Sequence, residues 1–117
     1  MSELKRVGVG ARMSEAVVHN GVAYLAGQVT DDTSLDVEGQ TARVLAIIDR
    51  ILADVGSDKT RILSAQVFLP EIADFAAMNR AWDAWVPQGQ TPARATIEAR
   101  LAAPEYKVEI LVLAALN

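Results

Sequence analysis

The residues that decide the fold read AVVHNGVAYLAGQ and occupy positions 16–28. Two short apolar runs flank Asn20 and Gly21 in this segment. An Asn-Gly pair between such runs is typical of a β-hairpin, because a type I′ turn needs a positive φ at both central positions. Gly27 then either ends the second strand or allows another part of the chain to approach closely. We therefore predict an antiparallel pair of strands here.

An amphipathic helix is predicted directly after a polar loop that follows the hairpin. Across residues 36–55, apolar side chains recur every three or four positions, which is the spacing of one helix face. Asp36 or Ser34 can cap the start of this helix, and Gly56 suits its end.

The remaining elements complete a single α+β domain over residues 1–117. We predict a strand over 61–69, a helix over 74–85 and two strands over 93–100 and 106–115. The second helix carries an aromatic stripe, which we interpret as core or subunit packing (Phe75, Met78, Trp82 and Trp85). The predicted order is ββαβαββ.

Composition and charge limit the function classes. Apolar residues make up 51% of the chain and aromatics 5%, so the core is aliphatic. The net charge is −4 with no basic run, which disfavours nucleic-acid binding. Without cysteine there can be no thiolate nucleophile, and the single histidine, His19, lies in the predicted turn rather than in a triad.

Two expectations concern location and assembly. Residues 1–6 lack the apolar core of a signal peptide, and no apolar run approaches the roughly 20 residues needed to cross a bilayer, so we expect a cytoplasmic protein without a membrane partner. We also expect a trimer, because the apolar positions exceed what two helices can cover (those around Val67, Leu69, Val112 and Leu113).

Two charged residues near the end of the chain suggest chemistry. Arg94 lies in PARATIEARL, residues 92–101, where no immediate neighbour can neutralise it, and Glu109 lies in YKVEI, residues 106–110. An arginine fork binds a carboxylate through two parallel hydrogen bonds, and a nearby carboxylate can orient or deprotonate a water. The pair is consistent with a site for a small carboxylic acid, or with a structural ion pair, or with two solvated strand residues.

Four short motifs resemble those of the Rid family, the reactive intermediate deaminases, also called YjgF or RutC-like proteins. They lie in the family's order and nearly its spacing: YLAGQ at 24–28, DFAAMN at 74–79, PAR at 92–94 and KVEI at 107–110. The resemblance runs from about residue 14 to 117. Residues 12–14, 82–86 and 103–107 are most similar to the YoaB-like branch.

The resemblance implies a fold, an assembly and an activity. The fold would be chorismate-mutase-like, with a mixed sheet and two helices packed on one face. The assembly would be a homotrimer with three clefts between subunits. The activity would be hydrolysis of 2-imino or 2-enamino acids to 2-keto acids and ammonia, with no metal or organic cofactor.

The resemblance also assigns site residues. It places the carboxylate-binding arginine at Arg94 and the water-orienting glutamate at Glu109. Gly27 would line the cleft through its backbone, Asn79 would belong to the substrate site, and the Thr96 carbonyl could hold the water.

Two departures from the family pattern make the implied pocket more apolar. Met13 stands where RidA members have a pocket tyrosine, and Ala26 stands where they have a serine. The loss of two hydroxyls keeps a rival open, a trimeric module that binds a carboxylate metabolite without turnover. Retention of both Arg94 and Glu109 favours the enzyme. An endoribonuclease is less consistent with the acidic charge.

Overall fold

A computed structural model describes residues 3–117 and shows one mixed sheet with two α-helices. Residues 1 and 2 lie outside the described range. They belong to the predicted domain and to residues 1–6, which were predicted to lack the apolar core of a signal peptide. The elements are β1 Lys5–Val9, β2 Ser14–His19, β3 Val22–Leu25, α1 Val37–Val55, β4 Ile62–Leu69, α2 Phe75–Trp85, β5 Ala93–Glu98 and β6 Glu109–Ala115.

The sheet order is β1-β2-β3-β6-β4-β5. Strands β4 and β5 are parallel and are connected through α2, whereas the other neighbouring strands are antiparallel. Strand β5 therefore forms one edge of the sheet, and the parallel pair requires a crossover of the kind that α2 supplies. The mixed sheet with two helices confirms the predicted fold class.

The predicted hairpin is present with its expected turn. Asn20 has φ 52° and Gly21 has φ 77°, the two positive values that a type I′ turn requires. His19 pairs with Val22 and Val18 with Ala23 on either side of the turn. The strand ends at Leu25, and Gln28 makes only an isolated bridge to Ile110.

The first helix has the predicted caps. The Asp36 carboxylate accepts a hydrogen bond from the Gly39 backbone N–H at 2.8 Å, and Gly56 adopts φ 85° at the other end. One face of α1 is buried in the aliphatic core, as the periodicity predicted. Neither helix of residues 3–117 is both long enough and apolar enough to cross a membrane.

The two faces of the sheet have different surroundings. The helices cover one face, where Val67, Leu69 and Val112 are fully buried. Strand register and the alternation of side chains place a second apolar set on the opposite face. We call this the helix-free face; its large apolar residues are Val17, Tyr24, Phe68, Ile97, Leu111 and Leu113, and it also carries Ser64, Gln66 and Glu109.

We expected the apolar residues around Val67, Leu69, Val112 and Leu113 to exceed what two helices can cover, and this expectation was partly wrong. Val67, Leu69 and Val112 belong to the core of their own chain, and of the four named residues only Leu113 lies on the helix-free face. Apolar residues nevertheless remain exposed on that face: Tyr24 is 45% exposed and Ile97 is 39% exposed. The uncovered surface is therefore real, but other residues form it.

The sequence prediction missed strand β1, so the observed order is βββαβαββ. Lys5–Val9 is a short edge strand in which only Val7 packs against the core, and Gly8 has φ 62°. Such a strand lacks the regular apolar alternation on which strand prediction depends.

The last two strands are shorter than predicted. Strand β5 ends at Glu98 rather than residue 100, and β6 begins at Glu109 rather than residue 106. The fully buried Gln40 explains the later start of β6. Its side chain accepts a hydrogen bond from the Lys107 N–H at 2.9 Å and donates one to the Glu105 carbonyl at 3.1 Å. These backbone groups therefore bond to a helix side chain instead of a strand.

Candidate functional site

Arg94 is the second residue of the edge strand β5, and its side chain lies on the helix-covered side of the sheet. It pairs in register with Ala65, whose side chain is buried beneath the helices. Arg94 itself is half-buried. The strand therefore directs the guanidinium toward α2, where it contacts four different side chains.

Polar and aromatic side chains of α2 surround the Arg94 guanidinium. Nη1 of Arg94 donates a hydrogen bond to Oδ1 of Asn79 at 2.8 Å and lies 3.9 Å from the sulfur of Met78. Its Cζ lies 5.0 Å from the centroid of the Trp82 ring and 5.9 Å from that of Phe75. Both separations are within the range of a cation–π interaction.

The charge of Arg94 has no directly bound counter-ion within residues 3–117. Burial lowers the pKa of Arg94 below its ordinary value, and the negative charge of Asp83 acts in the opposite direction. Arginine remains protonated in proteins despite such shifts. The result is a partly desolvated cation beside an edge strand, which favours binding of an anion.

Glu109 begins β6 and lies on the helix-free face. It pairs in register with Phe68, which in turn pairs with Ile97. Gly27 approaches it from the other side, because an added β-carbon at position 27 would overlap Oε2 of Glu109. The glycine thus leaves room for the carboxylate, which agrees with the second of the two predicted roles of Gly27, a close approach of its backbone.

Arg94 and Glu109 do not meet within one chain. Their partners on β4, Ala65 and Phe68, are three positions apart, so the two side chains leave the sheet on opposite faces. None of the ion pairs among residues 3–117 joins them. The alternative of a structural ion pair is therefore not realised within the described chain.

The other predicted site residues lie in three places: near Arg94, near Glu109 and in the turn between β1 and β2. Thr96 lies on the same side of β5 as Arg94, in register with Val67. Met13 is 59% exposed and lies in the turn between β1 and β2, toward the edge of the sheet opposite β5. The N–H of Ala26 donates to the Glu15 carbonyl at 2.9 Å, next to Gly27. A single chain thus brings Asn79 and Thr96 to Arg94, and Gly27 to Glu109.

The sequence interpretation missed the contact of Phe75 and Trp82 with Arg94. Met78 and Trp82 do belong to the core, as predicted, but Phe75 is 44% exposed. The missed signal was their spacing from Asn79, since positions four before and three after it share its helix face.

Two cavities of the described chain lie away from Arg94 and Glu109. One, of about 650 Å³, lies between the two helices and is lined in part by Glu38, Arg80 and Trp85. The second, of about 510 Å³, lies beyond the ends of β4 and β5 and is lined in part by Glu71 and Arg100. Neither is lined by Arg94 or Glu109. Residues 3–117 also contain no cluster of three acidic, histidine or cysteine side chains that could hold a metal ion.

Comparison with known proteins shows similarity over nearly the whole chain. A family model described as Endoribonuclease L-PSP matches residues 4–116. A RutC family protein of Haemophilus ducreyi is 52% identical over 114 residues, covering 97% of each chain. The RutC family protein YoaB of Escherichia coli is 48% identical over 110 residues, covering 94% of this chain and 96% of its own.

A solved structure gives the same result for the fold. A YjgF family protein of Neisseria meningitidis is 48% identical and superposes with a TM-score of 0.96. The match covers 98% of this chain and 96% of that one.

Proposed function

Because the chain belongs to the YjgF/RutC family, we propose that it is an imine deaminase that hydrolyses 2-imino and 2-enamino acids to 2-keto acids and ammonia. The observation that carries the proposal is the state of Arg94. Its guanidinium is half-buried, rests against two aromatic rings and has no acidic partner bound within residues 3–117.

Arg94 takes the role of the carboxylate-binding group. A planar two-donor fork matches the two oxygens of a 2-imino acid carboxylate, and partial burial strengthens the interaction by lowering the local dielectric. Holding the substrate at one end fixes the position of its C2 atom. Such orientation can contribute several kcal/mol to lowering a barrier, up to about 7–11 kcal/mol for fully oriented reactants.

Glu109 takes the role of the water-orienting base, and it acts in a site completed by a second copy of the chain. The helix-free face that carries Glu109 is apolar and has no helix over it, which supports association. Arg94 lies on an edge strand, so it can face a neighbouring copy. We propose a homotrimer in which Arg94 of one subunit meets Glu109 of the next.

The proposed reaction adds one water and releases one ammonia. Glu109 accepts a proton from water as the water oxygen bonds to C2, and it passes that proton to the imine nitrogen to give a carbinolamine. The hydroxyl proton then passes to the nitrogen, the C–N bond breaks as the C=O bond forms, and ammonia leaves. A 2-enamino acid first gains a proton on C3 and loses one from nitrogen, which makes it the imine.

The test is a coupled assay for keto-acid release from a panel of enzymatically generated imines. Wild type should accelerate release over the buffer rate, and Arg94→Ala should return the rate to the buffer value. Arg80→Ala is the matched control, since Arg80 is exposed and pairs with Glu38 rather than with any residue of the proposed site. Release at the buffer rate for the whole panel with wild type would reject the proposal.

A second candidate is a carboxylate-binding module without turnover. The specific observation in its favour is that Arg94 contacts Asn79 and Trp82 of its own chain, whereas Glu109 lies on the opposite face of the sheet. This candidate would be favoured if the protein bound a 2-keto acid but did not accelerate imine hydrolysis over the buffer rate. The nuclease activity in the description of the family model is less consistent with a net charge of −4 and scattered basic residues.

A further inference from the structure

We infer that Asn79, Trp82 and Phe75 are positioning residues that present one particular edge of Arg94, the edge formed by Nε and Nη2, to the carboxylate of the ligand. The inference deepens the proposed function and rests on it only in taking a carboxylate as the ligand. Its basis is the set of contacts that Arg94 makes with α2.

The first step is the hydrogen bond at Nη1. A guanidinium offers two edges to a carboxylate, one between Nη1 and Nη2 and one between Nε and Nη2. Nη1 already donates to Asn79 at 2.8 Å, whereas neither Nε nor Nη2 has a hydrogen-bond partner among residues 3–117. Nη1 keeps a second hydrogen, but the Nε–Nη2 edge is the one in which neither nitrogen is already bound to another residue of this range.

The second step is the orientation of the Asn79 amide. Arginine has donors only, so the amide oxygen and not the nitrogen must face it. Because Asn79 lies on a helix, its amide oxygen is an acceptor in a fixed position. The hydrogen bond to this oxygen therefore restrains rotation of the guanidinium. The Asn79 amide N–H groups then point away from Arg94.

The third step is the pair of aromatic rings. Trp82 is only 5% exposed and packs against Trp85 at 5.4 Å between ring centroids. The Trp85 indole N–H in turn donates to the Asp49 carboxylate at 3.0 Å. The guanidinium carbon lies 5.0 Å from the centroid of this fixed ring and 5.9 Å from that of Phe75, so the two rings restrict its position.

The edge selection is tested directly by NMR of the arginine side chain. Titration of the wild-type protein with 2-oxobutanoate should shift the Arg94 Nε–H proton resonance strongly downfield, because that proton enters the new hydrogen bond. Assignment comes from loss of the signal in Arg94→Lys. Saturation with 2-oxobutanoate while the Nε–H resonance stays in place would overturn the inference, because the ligand would then use another edge.

The positioning role is tested by Asn79→Ala, with Arg80→Ala on the same helix as control. Calorimetry should show the Kd of 2-oxobutanoate rising about tenfold or more in Asn79→Ala, the size expected for a hydrogen bond to a charged group. In the imine assay KM should rise similarly while kcat stays within about twofold, since the interaction serves bound substrate and transition state alike. An unchanged Kd in Asn79→Ala would overturn the role of Asn79.

Two variants at different positions test the aromatic role independently of each other. Trp82→Phe keeps a ring face and should bind 2-oxobutanoate within about threefold of wild type, whereas Phe75→Leu, at an exposed position, should weaken binding several-fold. Equal affinity of Phe75→Leu and wild type would remove Phe75 from the assignment. Binding with the expected Nε–H shift but without imine turnover would support this inference and reject the proposed enzyme.

Discussion

Gly27 lies directly against the carboxylate of Glu109, and this contact leaves no room for a side chain at position 27. An added β-carbon would overlap Oε2 and lie 3.1 Å from Cδ of Glu109. Gly27 does not have the positive φ found at Gly21 or Gly56, so its backbone would accept another residue. The glycine is therefore required for space rather than for conformation.

Gly27→Ala should displace the Glu109 carboxylate while leaving the fold intact. The clash is with the far end of a flexible side chain, which can rotate away at little cost. We expect imine hydrolysis to fall at least about tenfold, because a displaced base no longer reaches its water.

The matched control for this change is a double-mutant cycle with Glu109→Ala. If Gly27 acts only by making room for that carboxylate, Gly27→Ala should have no further effect once the carboxylate is gone. Equal losses in both backgrounds, measured in the same assay, would show that position 27 acts in another way.

Arg94→Lys should reduce imine hydrolysis by about tenfold or more, a loss of roughly 1.4 kcal/mol in transition-state stabilisation. Lysine keeps the charge but lacks the planar fork, and it cannot bind Asn79 and a carboxylate in the same geometry. Steady-state kinetics measures the loss, and light scattering checks that the assembly persists. Arg80→Lys should behave as wild type; full activity in Arg94→Lys would make the arginine structural.

Local signals in the sequence predicted most of the fold. The Asn20-Gly21 turn and the α1 caps at Asp36 and Gly56 have strong local preferences, and the structure contains all three. Strand β1 was missed because its residues, Lys5–Val9, show little apolar alternation, although it pairs with the next strand along the chain. The start of β6 was misplaced because a buried side chain from α1, Gln40, binds the preceding backbone.

The candidate site was predictable only in part. The local sequence singled out Arg94 and Glu109, the resemblance added Asn79 and assigned their roles, and the structure brings Arg94 and Asn79 together. That Arg94 and Glu109 lie on opposite faces follows from their register with β4, which no local pattern in the sequence specifies. The aromatic rings beside Arg94 were missed because an apolar helix stripe looks the same whether it packs against a core or a cation, and only their spacing from Asn79 pointed to the site.

Gln40→Met should destabilise the fold by about 2–3 kcal/mol, because methionine keeps the volume but leaves the Lys107 N–H and the Glu105 carbonyl without partners. Urea unfolding at a fixed protein concentration measures the difference. Gln90→Met is the control, since Gln90 is exposed in a loop and should change stability by less than about 0.5 kcal/mol. A loss as small as that of the control would mean that water replaces the Gln40 contacts.

Leu113→Glu should break the proposed trimer. Leu113 lies between Tyr24 and Ser64 on the helix-free face, where a charge would be buried by an approaching copy. Light scattering should give about three times 12.6 kDa for wild type and a single-chain mass for the variant. Ala46→Glu, on the exposed side of α1, should leave the mass unchanged. A wild-type mass near 12.6 kDa at micromolar concentration would contradict the shared site.

Glu109→Gln separates a deaminase from a binding module. Glutamine keeps the shape and one acceptor oxygen but removes the basicity, so turnover of every imine in the panel should fall by about a hundredfold if Glu109 takes the proton from water. The Kd of 2-oxobutanoate should stay within about threefold, since Arg94 carries that contact. If Glu109 instead pairs with Arg94 across a subunit boundary, the change frees the arginine and keto-acid affinity should rise while turnover hardly changes. Calorimetry and the imine assay on the same preparation distinguish the two results, and equal turnover in wild type and variant would favour the binding module.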